Sequence, residues 1–141
     1  MQATNKAEIE ELKQKFNSQS YCKFLGIQIV DLRKGAARLC MHLNQKDSFT
    51  LFHVVHGGII STLADSAIAA ALLSVVGLET PIVSIESKIN YLRPVKSNEL
   101  FAKAKIIYKG SKIAVGDVEV KAEGKIVAKC SATFMILEQK K

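Results

Sequence analysis

The run His56-Gly57-Gly58-Ile59-Ile60-Ser61-Thr62-Leu63-Ala64-Asp65-Ser66-Ala67 opens the longest apolar stretch of this 141-residue chain, which continues to Val76 and meets Gly77. Its length and its alanine and leucine content predict a helix from about Val55 to Val76, with Gly77 as the C-terminal cap. Apolar residues recur nearly all round it, so most of its sides must be enclosed. The natural wrapper lies on either side in sequence. Upstream, GIQIVDLRKG (26–35) and AARLCMHLN (36–44) alternate in strand fashion and meet at Lys34-Gly35, where glycine can supply the positive φ of a tight hairpin. Downstream come PIVSIESKINYL (81–92), ELFAKAKIIYK (99–109), KIAVGDVEVKA (112–122) and KIVAKCSATFMIL (125–137), mostly with period-two alternation. Gly110-Ser111 and Glu123-Gly124 are hairpin linkers, and the Pro94 to Asn98 segment breaks pairing between its neighbours. Residues 6–17 carry Ile9, Leu12 and Phe16 at helical spacing. The order of helix, two strands, long helix and four strands predicts an α+β domain, one antiparallel sheet rolled around one helix.

A length of 141 residues and 48% hydrophobic content suit a single domain over 1–141, with a helical segment at 1–24 and a core at 25–138. No repeat, low-complexity tract or proline-, glycine- or serine-rich linker divides it. Cys22, Cys40 and Cys130 are an odd, widely spaced set without a C-x-x-C pair, which argues against a disulfide framework and against a metal site. A reducing cytoplasm fits them. The first residues, MQATNKAEIEELKQKF, are polar and charged and make no secretory signal. The Ile59 to Val76 stretch is apolar enough to mimic a membrane span, but Asp65 and its many small residues argue for a buried helix and no membrane insertion. Twenty basic against thirteen acidic residues give +7, favouring an anionic partner. Aromatic residues are few and do not alternate with the basic ones, which argues against nucleic acid.

The chemistry concentrates at the start of the long helix. Gly57 and Gly58 let a ligand approach the backbone closely, and unpaired N–H groups there present partial positive charge, as an oxyanion hole requires. Asp65, set among Leu63, Ala64, Ala67 and Ile68, occupies a costly position for an acid, and function explains it better than packing. It lies eight residues beyond Gly57, about 12 Å of helical rise, too far for both to reach one carbonyl. Two copies with antiparallel long helices would bring Asp65 of one to Gly57 of the other, predicting a homo-oligomer with composite sites. Arg93, with Lys109 and Lys112 around Gly110, supplies cations that could hold phosphates.

Three segments carry a resemblance: HGGIISTLADSA (56–67), VSIESKINYLRPV (83–95), and the pair YKGSKIA (108–114) and EGKIVAKCSATF (123–134). From about Gly26 to Leu137 the chain resembles the hotdog-fold thioesterases of the phenylacetate-pathway (PaaI-like) and 4-hydroxybenzoyl-CoA types. The resemblance implies a hotdog fold, an acyl-CoA substrate, no separate cofactor because coenzyme A is part of the substrate, and a dimer or tetramer. It implies that the glycine after His56, Gly57, donates its N–H to the thioester carbonyl, and that Asp65 is nucleophile or general base. It implies for Ser84 a hand in holding the water or carboxylate. Relatives carry asparagine or glutamine six residues before the histidine; Thr50 stands there, shorter and without an amide donor. Two other readings stand beside the thioesterase: a weakly active or non-catalytic acyl-CoA or acyl-carrier binding protein, and a hotdog hydratase or dehydratase. The last lacks the further histidine it needs on the central helix.

Overall fold

The computed structural model describes residues 5–139. Its elements run α1 (Lys6–Asn17), α2 (Ser20–Leu25), β1 (Ile27–Arg33), β2 (Ala36–His42), α3 (Gln45–Ser48), α4 (Gly57–Val76), β3 (Ile82–Tyr91), β4 (Glu99–Lys109), β5 (Ile113–Ala122) and β6 (Lys125–Ile136). Six antiparallel strands form one sheet in the order β1-β2-β4-β5-β6-β3. It curls around α4, so the expected fold class and element order hold. The short α2 falls almost wholly within the expected helical segment at 1–24, whereas α3 has no counterpart among the expected elements, because four residues are too few for a helical period to show.

Burial of α4 follows from its composition: Leu63, Ala64, Ala67, Ile68, Ala70, Ala71 and Leu72 are essentially inaccessible and meet Leu39, Met41, Leu100, Ala102, Val118 and Val120 from the sheet. Alanines on both layers keep helix and sheet close. Gly116 on β5 allows the closest approach, for a Cβ there would lie 2.6 Å from Ile68 Cγ2. The helix that could pass by length for a membrane span is thus the core helix of the domain.

One polar device fixes the register of helix on sheet. The hydroxyl of fully buried Ser74 donates toward the carbonyls of Ala71 and Arg33 and accepts the Gly35 N–H at 2.8 Å, tying the last turns of α4 to the β1–β2 hairpin. Gly35 has the expected positive φ of 80°. The β5–β6 hairpin turns on Glu123 and Gly124, both at positive φ. In the N-terminal segment, α1 has a capping box between Asn5 and Glu8 and buries Leu12 and Phe16.

One irregularity in β3 matters for the site. Strand alternation would turn Ser84 and Ser87 to opposite faces. The register slips between Ser84 and Glu86, so that Ser84 lies opposite Phe134, and Ser87, Ile89 and Tyr91 opposite Ala132, Cys130 and Ala128. The β6 partners all belong to the core, so this bulge turns Ser84, Ser87, Ile89 and Tyr91 alike toward α4. β3 also ends the sheet, and its second edge is unpaired among the described residues.

Candidate active site

The entrance of α4 is built by His56. Its backbone is extended (φ −63°, ψ 135°), its N–H is anchored on the Ser48 carbonyl at 2.9 Å, and its Nδ1 accepts the Gly58 N–H at 2.8 Å. The histidine side chain is therefore the N-cap, with Nδ1 as acceptor. A helix start has four N–H groups without intrahelical partners. Here the Ile59 and Ile60 groups reach the His56 carbonyl at 3.0 and 3.4 Å and the Gly58 group reaches the imidazole. Only the Gly57 N–H has no acceptor among the described residues. Of the two glycine amides singled out from the sequence, the available one is Gly57. Tyr91 sits over it: its hydroxyl donates to the Gly57 carbonyl at 3.0 Å, and a Cβ on Gly57 would come within 3.2 Å of the ring. Gly57 and Tyr91, with Val55, Ile60, Arg93 and Pro94, line a shallow hollow of about 280 Å³.

Asp65 stands two turns further on. It is half-buried rather than buried, because the sheet leaves uncovered the face of α4 that carries Ser61, Thr62, Asp65 and Ala69. Ser84 Oγ donates to Asp65 Oδ1 at 2.8 Å, so the structure brings together two residues that lie nineteen positions apart. A crevice of about 400 Å³ opens beside the carboxylate, lined by Tyr21, Ser61, Thr62, Ser66, Ala69 and Ser87. The Ser61, Thr62 and Ser66 hydroxyls donate back to helix carbonyls, which satisfies them within α4. Tyr21, carried by α2, packs edge-on against Phe16. Burial, reinforced by the neighbouring Cys22 thiol, pushes its phenol up to about 12, so it stays a neutral donor. Burial likewise raises the Cys130 thiol, with the Asp65 charge adding to the effect, and the protonated thiol is a poor nucleophile.

The remaining candidates are dispersed. Gly57 and Asp65 stay eight residues apart on one helix, about 12 Å of rise. The Thr50 hydroxyl accepts the Phe52 N–H inside its own 50–54 turn, and His53 holds that turn at φ 61°. Arg93 lies at the Gly57 hollow, with its guanidinium donating to the Ile126 carbonyl. Lys109, Gly110 and Lys112 form the β4–β5 turn, which the Ile136–Lys112 hydrogen bond sets at the Ile82 end of β3, away from Gly57 of the same chain. Tyr21, Ser87 and Tyr91 were not singled out from the sequence. For Tyr91 a signal existed, as an aromatic two places beyond an inward Ile89 also points inward; for Tyr21 there was none, since a six-residue helix is too short for its pattern to tell which face meets α4.

Comparison with known proteins bears on what this arrangement does. Residues 52–129, from the loop before α4 into β6, match the model of the thioesterase superfamily. The chain belongs to that superfamily. It is similar to a candidate esterase of Saccharolobus solfataricus, 34% identical over 94% of this chain and 92% of that one. A medium/long-chain acyl-CoA thioesterase of Salmonella typhimurium, YigI, is 28% identical over 59% of this chain and 63% of its own. Among solved structures, the phenylacetic acid degradation protein PaaI of Thermus thermophilus superposes with a TM-score of 0.77 at 30% identity, covering 84% of this chain and all of that one. PaaI of E. coli shares the hotdog fold at a TM-score of 0.85 and 24% identity, over 95% and 96% of the two chains. This thioesterase is accordingly a hydrolase of thioesters, and Gly57, Asp65, Ser84 and Tyr91 lie within the matched region.

Proposed function

We propose that the chain hydrolyses acyl-CoA thioesters in sites composed from two copies, each site pairing the Gly57 N–H of one copy with Asp65 of the other. The observation that carries this reading is the unshared Gly57 amide at the start of a twenty-residue helix whose next three N–H groups are all satisfied. A carbonyl oxygen seated there gains the N–H and the positive end of the helix as charge builds on it. Asp65, oriented by Ser84, then either attacks the carbonyl carbon or takes a proton from an attacking water.

Composite sites follow from the 12 Å rise combined with the open edge of β3. Val83 and Ile85 on that strand are about half exposed, an unusual outlay of apolar surface on an unpaired edge. If β3 pairs antiparallel with β3 of a second copy, the Ile82 end of one meets the Tyr91 end of the other. Asp65 and Ser84 of one copy then approach Gly57 and Tyr91 of its partner, twice per dimer. The β4–β5 turn with Lys109, Gly110 and Lys112 moves the same way, toward the partner's Arg93, giving cations for the phosphates of coenzyme A. The net charge of +7 agrees with such an anionic substrate, and three free thiols agree with a reducing cytoplasm. The test is thiol release from a panel of short, long and aromatic acyl-CoAs by wild type beside Asp65→Ala and Asp65→Asn. Turnover that disappears in both variants supports the reading, and wild-type-like turnover in either ends it.

A further inference from the structure

Two consecutive glycines make a poor support for a catalytic amide, because each is free to rotate where another residue would be restrained. The entrance of α4 corrects this with a clamp. The peptide unit joining Gly57 to Gly58 is held at both ends: its carbonyl accepts the Tyr91 hydroxyl at 3.0 Å, and its N–H donates to His56 Nδ1 at 2.8 Å. The bonds point the same way along one chain, from Tyr91 O–H through the amide to the imidazole, so each polarises the next. The Tyr91 ring also lies against Gly57, closing the space through which the glycine could swing.

The unit immediately before it, His56 to Gly57, is fixed at its carbonyl by the Ile59 and Ile60 N–H groups, and the unit before that, Val55 to His56, is anchored through its N–H on the Ser48 carbonyl. The N–H of the His56 to Gly57 unit, that of Gly57, has no acceptor among the described residues. We infer that Tyr91 is a positioning residue for the hydrolysis, acting with His56 to hold the Gly57–Gly58 peptide so that the Gly57 N–H stays directed at the developing oxyanion. The assignment rests on the reading of Gly57 as oxyanion donor. It gives His56 the work of an orienting acceptor, and it explains why an aromatic with a hydroxyl stands at the inward end of β3, where packing alone would accept phenylalanine.

Tyr91→Phe removes the hydroxyl and keeps the ring. The expected result is a fall in kcat of about three- to tenfold with KM and melting temperature unchanged, since only transition-state placement is affected. His56→Ala should lower kcat similarly, and the double variant should be no worse than the poorer single variant, because both act on one peptide unit. In wild type, the Gly58 amide should exchange with solvent more slowly than that of Gly57, and Tyr91→Phe should accelerate Gly58. The inference is overturned by unchanged kcat in Tyr91→Phe, by a loss that tracks melting temperature or KM, by losses that multiply in the double variant, or by a Gly57 amide as protected as Gly58. Should Tyr91→Phe be silent while Asp65→Ala is inactive, this inference alone fails. Wild type without thioester turnover would instead sink the functional reading beneath it.

Discussion

Replacing Gly57 by proline tests the reaction at the level of a single hydrogen atom. Proline suits the first position of a helix, where the missing N–H breaks no helical bond and its fixed φ is preorganised. His56 already has the extended backbone, φ −63° and ψ 135°, that the residue before a proline prefers. The added Cβ would stand 3.2 Å from the Tyr91 ring, which must yield by a few tenths of an ångström. Folding stability should therefore change by no more than about 1 kcal/mol, the restraint on the unfolded chain offsetting the crowding. Catalysis should change far more. Loss of one oxyanion donor lowers kcat by about 10² to 10³, and the proline ring also fills the space in front of the old N–H. Gly57→Ala is the control, for it adds the same Cβ and keeps the N–H; its loss measures the displacement of Tyr91 alone. The assay is steady-state thiol release from a good acyl-CoA, with melting temperatures measured in parallel. A proline variant as active as the alanine variant would show that the Gly57 amide takes no part and would refute the reasoning.

Mixing Gly57→Pro with Asp65→Ala subunits should restore activity: half the dimers are hybrids, each with one intact composite site, giving about one quarter of wild-type turnover. A mixture no more active than its components would place both groups of a site in one chain. Ser74→Ala leaves the Gly35 N–H without its side-chain acceptor, and denaturation should report a loss of about 1–3 kcal/mol at unchanged kcat per folded site. Near-ultraviolet titration should find the Tyr21 phenol ionising near 12, above its ordinary value of 10.0. Because the native state keeps a proton that the unfolded chain gives up, stability should fall as pH rises from about 10 toward 12, and Tyr21→Phe should remove that part of the slope.

Much of this was legible in residue order. A long helix apolar on nearly every side calls for a wrapper, and six alternating runs with glycine turns can provide only an antiparallel sheet; both are local patterns read at fixed periods. Gly57 and Asp65 stood out because each is out of place by local rules, a doubled glycine at a helix start and an acid in an apolar run. Register and exposure are of another kind. The bulge at Ser84–Glu86 shifts which β3 side chains face α4, and no periodicity announces it, so Ser84 joins Asp65 while Tyr91 reaches Gly57 through contacts made only when strand and helix pack. Asp65 reads as buried from its neighbours in sequence, yet it is half-buried in the fold, because burial depends on which helix face the sheet leaves uncovered. Composition and spacing thus determined the layers, the central helix and the two groups of the proposed chemistry. Tertiary packing decided their partners, since hydrogen bonds between distant segments depend on three-dimensional register, which a one-residue slip can reverse.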